Sequence, residues 1–311
     1  MQQEKLQELI ETHLLHLSVN GDVESKQTID WHRRRLRRFV RFVGRNDLDP
    51  LKADTFVLYA SSLRQGRQDG RPGNISVYTR RGYIQVLRQF GRWLRKQGHT
   101  QDDLYESIKP PKLPRRPKPK FITMEGMAKM IAATEKPRDR AILLFLRDTG
   151  CRTSEVLGLK WCDLDLDNQS ALVTGKGNKA RTVFFTQETH DALHDYRETV
   201  PNAWTDWMWW GQKNGQKMRP LRYKGLRSMM LRLAEKAEVV GRWNAHAWRH
   251  AYGRYMTRSR CPTRVLQDLM GHASIEVTMI YSYLDDCDLR EAYFEYNPYE
   301  EEDEEVAHAA V

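Results

Sequence analysis

A proline-rich, basic segment divides this chain into parts that must fold separately. Residues 109–120 read KPPKLPRRPKPK and hold five prolines. Because proline lacks an amide donor and blocks the preceding helical turn, these residues are expected to form an extended linker. The linker separates a predicted N-terminal domain, residues 1–108, from a predicted C-terminal domain, residues 121–295, and an acidic tail follows at 296–311.

The charge of the chain is distributed unevenly along its length. Residues 1–120 hold 25 Lys and Arg against 13 Asp and Glu, residues 121–280 hold 25 against 17, and residues 281–311 hold 1 against 11. Two basic domains indicate a polyanionic partner, most simply a nucleic acid. A basic protein with no nucleic-acid role is an alternative, since overall charge discriminates weakly. The acidic run at 300–305 is expected to be disordered.

Membrane proteins and disulfide-stabilised secreted proteins are excluded by the composition. The longest apolar run, residues 141–146, is far shorter than the roughly 20 residues that span a bilayer. The N-terminus lacks the apolar core of a signal peptide. Four cysteines without a CxxC pair indicate neither a disulfide framework nor a zinc site. We therefore expect a reduced protein in the cytoplasm, without contact to a membrane.

Hydrophobic residues recur at helical spacing in four stretches before the linker, near 6–17, 29–43, 52–63 and 76–96. This pattern predicts an all-α bundle. The second stretch also carries six arginines within nine positions, which repel one another unless anions neutralise them. The candidate DNA-binding residues of the N-terminal domain and the linker are therefore Arg33, Arg34, Arg37, Arg38, Arg41, Arg115, Arg116 and Lys118.

The C-terminal domain has a mixed pattern of helices and strands. A helix is predicted at 138–148, with Gly150 as its cap. Residues 171–174 and 181–185 read as two strands around a glycine-rich turn, and the chain is helical again from 221 onward. The expected fold class is mostly α, with a small β-sheet in an α+β catalytic domain next to the N-terminal helical bundle.

Four short motifs in the C-terminal domain carry side chains suited to a phosphate group. An arginine opens a helix, where free backbone amides also favour an anion. Two lysines lie on the glycine-rich turn, a histidine and an arginine share one helical face, and a glycine–histidine pair precedes a tyrosine. Each motif alone is more typical of a structural or surface residue. Their key residues, in chain order, are Arg152, Lys176, Lys179, His246, Arg249, His272 and Tyr281.

The order and spacing of these motifs resemble those of the tyrosine recombinase, or phage integrase, family. The matching segments are TGCRTSE at 149–155, GKGNK at 175–179, HAWRH at 246–250 and LMGH at 269–272 with Tyr281. The likeness covers the whole C-terminal domain, whereas the likeness of the N-terminal bundle to the family's core-binding domain is generic. Two departures inside the third segment, Ala247 and Trp248, fall on non-catalytic positions.

The resemblance implies cleavage and rejoining of DNA through a 3′-phosphotyrosyl intermediate, with no cofactor, metal ion or ATP. Tyr281 is implied as the nucleophile, with Tyr283 as its rival, and Lys176 as the general acid on the leaving 5′-oxygen. Arg152 and Arg249 are implied to hold the non-bridging phosphate oxygens. The remaining implied roles are a general acid/base for His246, a hydrogen-bond donor for His272, a supporting residue for Glu155 and a DNA contact for Lys179.

The implied partner is double-stranded DNA at a specific recombination site, held in a two-domain clamp. A homo-tetramer on two sites is also implied, and the participation of accessory proteins is left open. The favoured role is integration or excision of a mobile element. A Xer-like recombinase that resolves chromosome or plasmid dimers has the same chemistry and is an alternative. A non-catalytic DNA-binding protein is the alternative of another class, and the complete set of motifs argues against it.

Overall fold

The computed structural model describes residues 2–19, 26–65, 75–114, 120–200, 206–211, 219–272, 274–281 and 293. The chain divides into two compact units, Met1–Arg116 and Pro117–Val311. Outside the described residues lie Arg115, Arg116, Lys118, the rival Tyr283, the tail at 296–311 and the side chain of Lys176. No helix within the described ranges is both long and apolar enough to cross a membrane.

The N-terminal unit contains the four predicted helices, which are α1 Gln2–Val19, α2 Lys26–Asn46, α3 Ala53–Ser62 and α4 Val77–Lys96. Their apolar faces form one core. Phe39 of α2 packs edge-on against Phe56 and Tyr59 of α3, with ring centroids 5.2 Å apart in both pairs. At the start of α4, the Ser76 hydroxyl accepts a hydrogen bond from the Thr79 amide. The prediction of an all-α bundle is confirmed.

The C-terminal unit combines helices with a small sheet, as predicted, and with a second sheet of two short strands. Its helices are α5 Met124–Ala132, α6 Pro137–Thr149, α7 Thr153–Gly158, α8 Gln187–Glu198, α9 Tyr223–Lys236, α10 Ala245–Arg258, α11 Thr263–Met270 and α12 Ile275–Thr278. Its strands are β1 Leu164–Asp165, β2 Ser170–Thr174, β3 Ala180–Phe184, β4 Trp210–Gly211 and β5 Arg219–Pro220. A short 3-10 turn, Met279–Tyr281, follows α12.

The larger sheet is antiparallel, with strand order β1-β2-β3. β2 and β3 are the two strands predicted on either side of the glycine-rich turn, and Val173 lies opposite Arg181 in their register. Gly177 in that turn has a φ of 72°, a conformation that a side chain would strain. β4 and β5 form a separate sheet that the sequence did not predict, because two-residue strands leave no periodicity to detect.

α6 is the central helix of the C-terminal unit. Residues 141–146 are all fully buried, so the longest apolar run of the chain forms a core helix that is covered on every side. Gly150 ends this helix with a φ of 56°, as predicted. α6 packs against α8 and α10. This packing brings the segment that follows α6 beside α10.

Candidate active site

Three arginines converge on the C-terminal end of α11. Three consecutive carbonyl groups each accept a hydrogen bond from one of them: Leu269 from Arg181 Nε at 2.9 Å, Met270 from Arg249 Nη2 at 2.7 Å and Gly271 from Arg152 Nη2 at 3.0 Å. The last carbonyls of a helix lack partners within it and carry partial negative charge, so they bind cations well. The helix end thus gathers side chains from β3, α10 and the start of α7 into one site.

Glu155 is a fully buried carboxylate that binds two of these arginines. Its Oε1 accepts from Arg152 Nη1 at 2.8 Å and from Arg181 Nη1 at 2.9 Å. Its Oε2 accepts from Arg181 Nη2 at 2.9 Å and from the Arg152 amide at 2.8 Å. Burial raises the pKa of Glu155, but the hydrogen bonds from Arg181 and Arg152 more than offset this effect and lower it to about 2. Glu155 is therefore ionised and ties the two guanidinium groups together.

Arg181 is a member of the site that the sequence analysis did not single out. It lies 26 residues from Glu155 in the chain, and the two meet only because β3 packs beside the helices. Its guanidinium also lies close to α11, since a Cβ added at Gly271 would be 2.9 Å from Arg181 Nη1. Sequence spacing carries no signal for a contact of this kind. The one hint in the sequence was an arginine in a predicted strand of the C-terminal domain, because a buried arginine is rare unless it is paired.

Arg249 is anchored by hydrogen bonds to two backbone carbonyl groups, which use only part of its N–H donors. It is 3% exposed, and its Nη1 donates to the Gly150 carbonyl at 2.7 Å while Nη2 binds Met270. A guanidinium has five N–H donors, so these two bonds leave three others. Burial and the neighbouring Arg152 lower the pKa of Arg249 to about 10, which still leaves it charged at neutral pH.

Tyr281 is 4% exposed, and its hydroxyl lies 3.0 Å from Nδ1 of His250. The family resemblance implied that His246 acts as a general acid/base toward both this tyrosine and the phosphate. His246 instead meets the ring of His250, with centroids 4.3 Å apart in an edge-on arrangement. Gly253 of α10 makes room for the tyrosine, because a Cβ there would lie 2.8 Å from three atoms of the ring. Burial raises the pKa of Tyr281, while Arg249 and Arg152 act in the opposite direction.

The three histidines near this tyrosine all have lowered pKa values. Burial is the largest cause in each case, and it acts together with neighbouring positive charge. The pKa is lowered for His246 and falls to about 4 for His250 and His272. The rings of His250 and His272 are therefore neutral at physiological pH. Each can accept a hydrogen bond on one nitrogen and donate from the other.

His272 lies directly after the αL cap of α11, at Gly271. Its Nδ1 is 2.8 Å from Thr278 Oγ1, and its carbonyl accepts from Gln267 Nε2 at 3.1 Å. Its ring is nearly parallel to that of Tyr281, with an angle of 14° and centroids 6.1 Å apart. These contacts orient the imidazole next to the tyrosine. Three of the predicted catalytic motifs thus meet at the end of α11.

The lysine turn between β2 and β3 begins beside the buried carboxylate. A Cβ added at Gly175 would be 3.1 Å from Glu155 Oε1 and 4.0 Å from Arg152 Nη1. The backbone of Lys176 follows directly in a 3-10 turn, and Lys179 is exposed. The backbone of the predicted general acid therefore starts next to the arginine cluster.

The predicted DNA-binding arginines of α2 differ in their surroundings. Arg33 binds Glu11 of α1 through Nε and Nη2, at 3.0 and 2.9 Å, and Asp30 through Nη1 at 2.9 Å. Arg38 lies over the ring of Tyr83 at 5.1 Å. Exposed to solvent are Arg34, Arg37 and Arg41. The charge of Arg33 is thus already met by carboxylates, whereas these last three arginines are open to solvent.

The described parts of the chain contain no group of three or more His, Cys, Asp or Glu side chains arranged to hold a metal ion. His190 and His194 on α8 therefore belong to no such group within the described residues. Nδ1 of His190 lies 2.9 Å from Asp191 and 3.0 Å from Gln187 Nε2.

Residues 120–287, more than half of the chain, match the Phage integrase family. A tyrosine recombinase XerC of Oceanobacillus iheyensis is 26% identical over 309 residues, covering 94% of this chain and 97% of that protein. A tyrosine recombinase XerD of Mycobacterium tuberculosis is 27% identical over 302 residues, covering 91% of this chain and 95% of that protein.

Solved structures with a similar fold include a Xer site-specific recombinase and a transposon integrase. The XerH site-specific recombinase bound to difH substrate has a TM-score of 0.64 and 23% identity, covering 85% of this chain and 78% of that one. The Tn1549 transposon integrase in complex with transposon right end DNA has a TM-score of 0.67 and 16% identity, covering 93% and 99%. At these identities the likeness concerns the fold.

Proposed function

This chain belongs to the phage integrase family, and on that basis we propose which of its residues cleave and rejoin DNA. It is a tyrosine recombinase, an enzyme that breaks and rejoins DNA strands at a specific site. The observation that carries the residue assignment is the convergence of Arg152, Arg249, His272 and Tyr281 around the end of α11. A cationic pocket next to a buried tyrosine suits attack on a phosphodiester.

Arg152 and Arg249 hold the non-bridging oxygens of the scissile phosphate. Each uses two N–H donors for protein groups, which leaves three donors in a planar fork that matches phosphate oxygens. Because their positions are set by backbone carbonyls and Glu155, little reorganisation is needed when charge develops in the transition state. His272 adds a hydrogen bond to a phosphate oxygen, and Glu155 positions Arg152.

Tyr281 attacks the phosphorus and forms a 3′-phosphotyrosyl bond, and the 5′-oxygen leaves. Lys176 protonates that oxygen, since an ammonium next to other cations gives up its proton more readily. The covalent bond conserves the energy of the phosphodiester, so a 5′-hydroxyl from a partner strand can attack it and complete the exchange. His246 acts as an acid/base at the phosphate.

Double-stranded DNA is the partner, bound through basic residues of both units. Support comes from the exposed arginines of α2, from Lys179 and from the positive charge of the linker. The related recombinases XerH and Tn1549 integrase have been solved with DNA. The proposed assembly is a homo-tetramer on two DNA sites, in which strands are exchanged between neighbouring copies.

Two biological roles fit this chemistry. Integration or excision of a mobile element is one, and the fold it shares with the Tn1549 integrase is consistent with it. Resolution of chromosome or plasmid dimers is the other, favoured by relatives named XerC and XerD that match over 95–97% of their own length. The position of the recombination site in the genome separates them. A site at the ends of an element that contains the gene indicates the first role, and a single distant chromosomal site indicates the second.

Covalent trapping tests the nucleophile and maps the site in one experiment. Tagged protein is mixed with sheared genomic DNA of the organism that encodes it, denatured, and captured so that attached 3′ ends can be sequenced. We expect wild type and Tyr283→Phe to yield adducts at one sequence, and Tyr281→Phe to yield none while still binding DNA. Adducts with Tyr281→Phe, or their loss with Tyr283→Phe, would contradict the assignment.

A further inference from the structure

His250 is the hydrogen-bond partner of the proposed nucleophile, although the motif comparison assigned it no role. Its Nδ1 lies 3.0 Å from the Tyr281 hydroxyl. It follows Arg249 directly on α10, one helical turn after His246. We propose that His250 is a catalytic residue that accepts the phenolic proton of Tyr281 when the tyrosine attacks DNA. This inference rests on Tyr281 being the nucleophile, as proposed above.

The geometry favours His250 over His246 for this step. A general base must lie within hydrogen-bond reach of the proton that it takes, and His250 meets this condition directly. His246 is exposed and packs edge-on against the ring of His250 at 4.3 Å between centroids. Its open position suits contact with the phosphate. In this arrangement His250 acts on the tyrosine hydroxyl and His246 contacts the phosphate.

The surroundings of Tyr281 make a proton acceptor necessary. The side chain is 4% exposed, and burial disfavours a free phenolate before the attack. Arg249 and Arg152 stabilise negative charge, but they are also needed by the phosphate oxygens. A base in contact with the hydroxyl lets the proton leave as the bond to phosphorus forms, so that a free phenolate is never required.

His250 is in the protonation state that a base requires. Burial is the largest cause that lowers its pKa to about 4, followed by His246 and Arg249. Among the residues that the structure describes, the titratable and charged groups that act on it are His246 and Arg249 on its own helix and Tyr281 from the turn after α12. The neutral ring with its proton on Nε2 has a free lone pair on Nδ1, which faces the hydroxyl.

Every proton that moves in the proposed reaction passes among the DNA and the side chains named above. In cleavage, Tyr281 Oη bonds to phosphorus, its proton moves to His250 Nδ1, and the bond from phosphorus to the 5′-oxygen breaks. The leaving oxygen takes a proton from Lys176. In rejoining, a 5′-hydroxyl attacks phosphorus and gives its proton to Lys176, while the imidazolium of His250 returns its proton to the departing phenolate.

A sulfur substitution separates activation of the nucleophile from protonation of the leaving group. A nicked duplex with the mapped cleavage site is made with either oxygen or sulfur at the 5′ bridging position. A thiolate leaves without protonation, because thiols are far stronger acids than alcohols. Single-turnover rates of covalent adduct formation are measured for wild type, His250→Gln and Lys176→Ala. His194→Gln, at an exposed residue of α8, is the matched control.

We expect His250→Gln to be slower than wild type by on the order of 10²-fold on both duplexes, as the loss of a general base predicts. Sulfur is expected to restore Lys176→Ala and not His250→Gln. Glutamine retains the ability to hydrogen-bond the tyrosine but cannot take up its proton. A role confined to holding the ring would therefore leave His250→Gln close to wild type.

Two results would overturn the inference. One is a rate for His250→Gln within about threefold of wild type on the oxygen duplex, and the other is its recovery on the sulfur duplex. Thermal unfolding and DNA affinity check that the variant is folded. If it is not, His250→Ala replaces it, and added imidazole must then restore part of its rate. Absence of adducts with wild type itself would instead show that the proposed function is wrong.

Discussion

The charge of one buried carboxylate holds two guanidinium groups of the proposed site in place. Glu155 binds Arg152 and Arg181 through both of its oxygens. Its pKa, about 2, lies below the ordinary value of 4.5 because these hydrogen bonds outweigh burial. A group with a lower pKa in the folded state stabilises the protein above its unfolded pKa. This contribution is therefore complete at neutral pH and is lost only as the pH falls from about 4.5 towards 2.

Glu155→Gln keeps the shape of the side chain and removes its charge. We expect the free energy of unfolding to fall by about 3 kcal/mol, because one partner of a buried ion pair is lost. We also expect cleavage to slow on the order of 10²-fold, because Arg152 loses its position. Thermal unfolding and the adduct assay measure both effects. Glu188→Gln is the matched control, since Glu188 pairs with Arg140 and Arg147 at the surface. If Glu188→Gln lost as much unfolding free energy and cleavage rate as Glu155→Gln, the burial of Glu155 could not explain its effect.

At the scale of elements, the end of α11 shows how a helix terminus can organise a site. Its carbonyl groups at 269–271 bind three arginines, which come from three other elements. The αL cap at Gly271 then turns the chain so that His272 follows directly beside Tyr281. The arginines of the proposed site are thus positioned in part by backbone carbonyls, which stay in place as long as the helix is folded.

In the N-terminal unit, α1 contributes a buried histidine to the core. His13 of α1 is 2% exposed and lies 5.4 Å from the ring of Phe90 and 5.3 Å from that of Trp93. Neither of its ring nitrogens has a hydrogen-bond partner within the part of the chain that the structure describes. Burial, with His32 and His16, lowers the pKa of His13 from 6.5 to about 4. Protonation therefore favours the unfolded state.

We expect the N-terminal unit to lose stability as the pH falls from about 6.5 to about 4, because the unfolded chain binds the proton first. The loss from His13 alone would be on the order of 3 kcal/mol at the end of this range. His32, whose pKa is also lowered by burial, acts in the same direction. Thermal unfolding near pH 7 and pH 5 measures the loss. His13→Leu should lose less than wild type between these values, and an identical loss would contradict the prediction.

At the scale of the whole molecule, the net charge of +10 predicts DNA binding that weakens steeply with salt. Arg37 and Arg41 are exposed on α2, whereas Arg33 is engaged by Glu11 and Asp30. The exposed pair is therefore the better candidate for contact with phosphates. Arg33 is expected to contribute to the packing of α1 against α2.

Replacing Arg37 and Arg41 together with alanine should weaken DNA binding at low salt. The slope of log K against log salt concentration should become shallower by about 2, since each neutralised phosphate contributes roughly 0.9. Fluorescence anisotropy with a labelled duplex at several salt concentrations gives the slope. Arg95→Ala is the control in the same unit, because Arg95 pairs with Asp103. An unchanged slope in the double variant would place the DNA-binding face elsewhere.

Local sequence determined the two-part organisation, the four helices of the N-terminal unit and the main hairpin of the C-terminal unit. Proline content, helical periodicity and glycine at a turn act over a few residues, so their effects can be read without a structure. The motif residues could also be named, because their spacing resembles that of a family. Their roles stay predictions until the adduct experiments are done.

Only the tertiary structure decided which side chains meet. Arg181 reaches Glu155 across 26 residues, and His250 reaches Tyr281 across 31. Both contacts exist because separate elements pack together around the end of α11, and no local pattern encodes a pairing at such a distance. The hydrogen bonds that keep Glu155 ionised and the burial that keeps His250 neutral have the same origin. Both depend on how closely the neighbouring elements pack, which the spacing of residues along the chain does not specify.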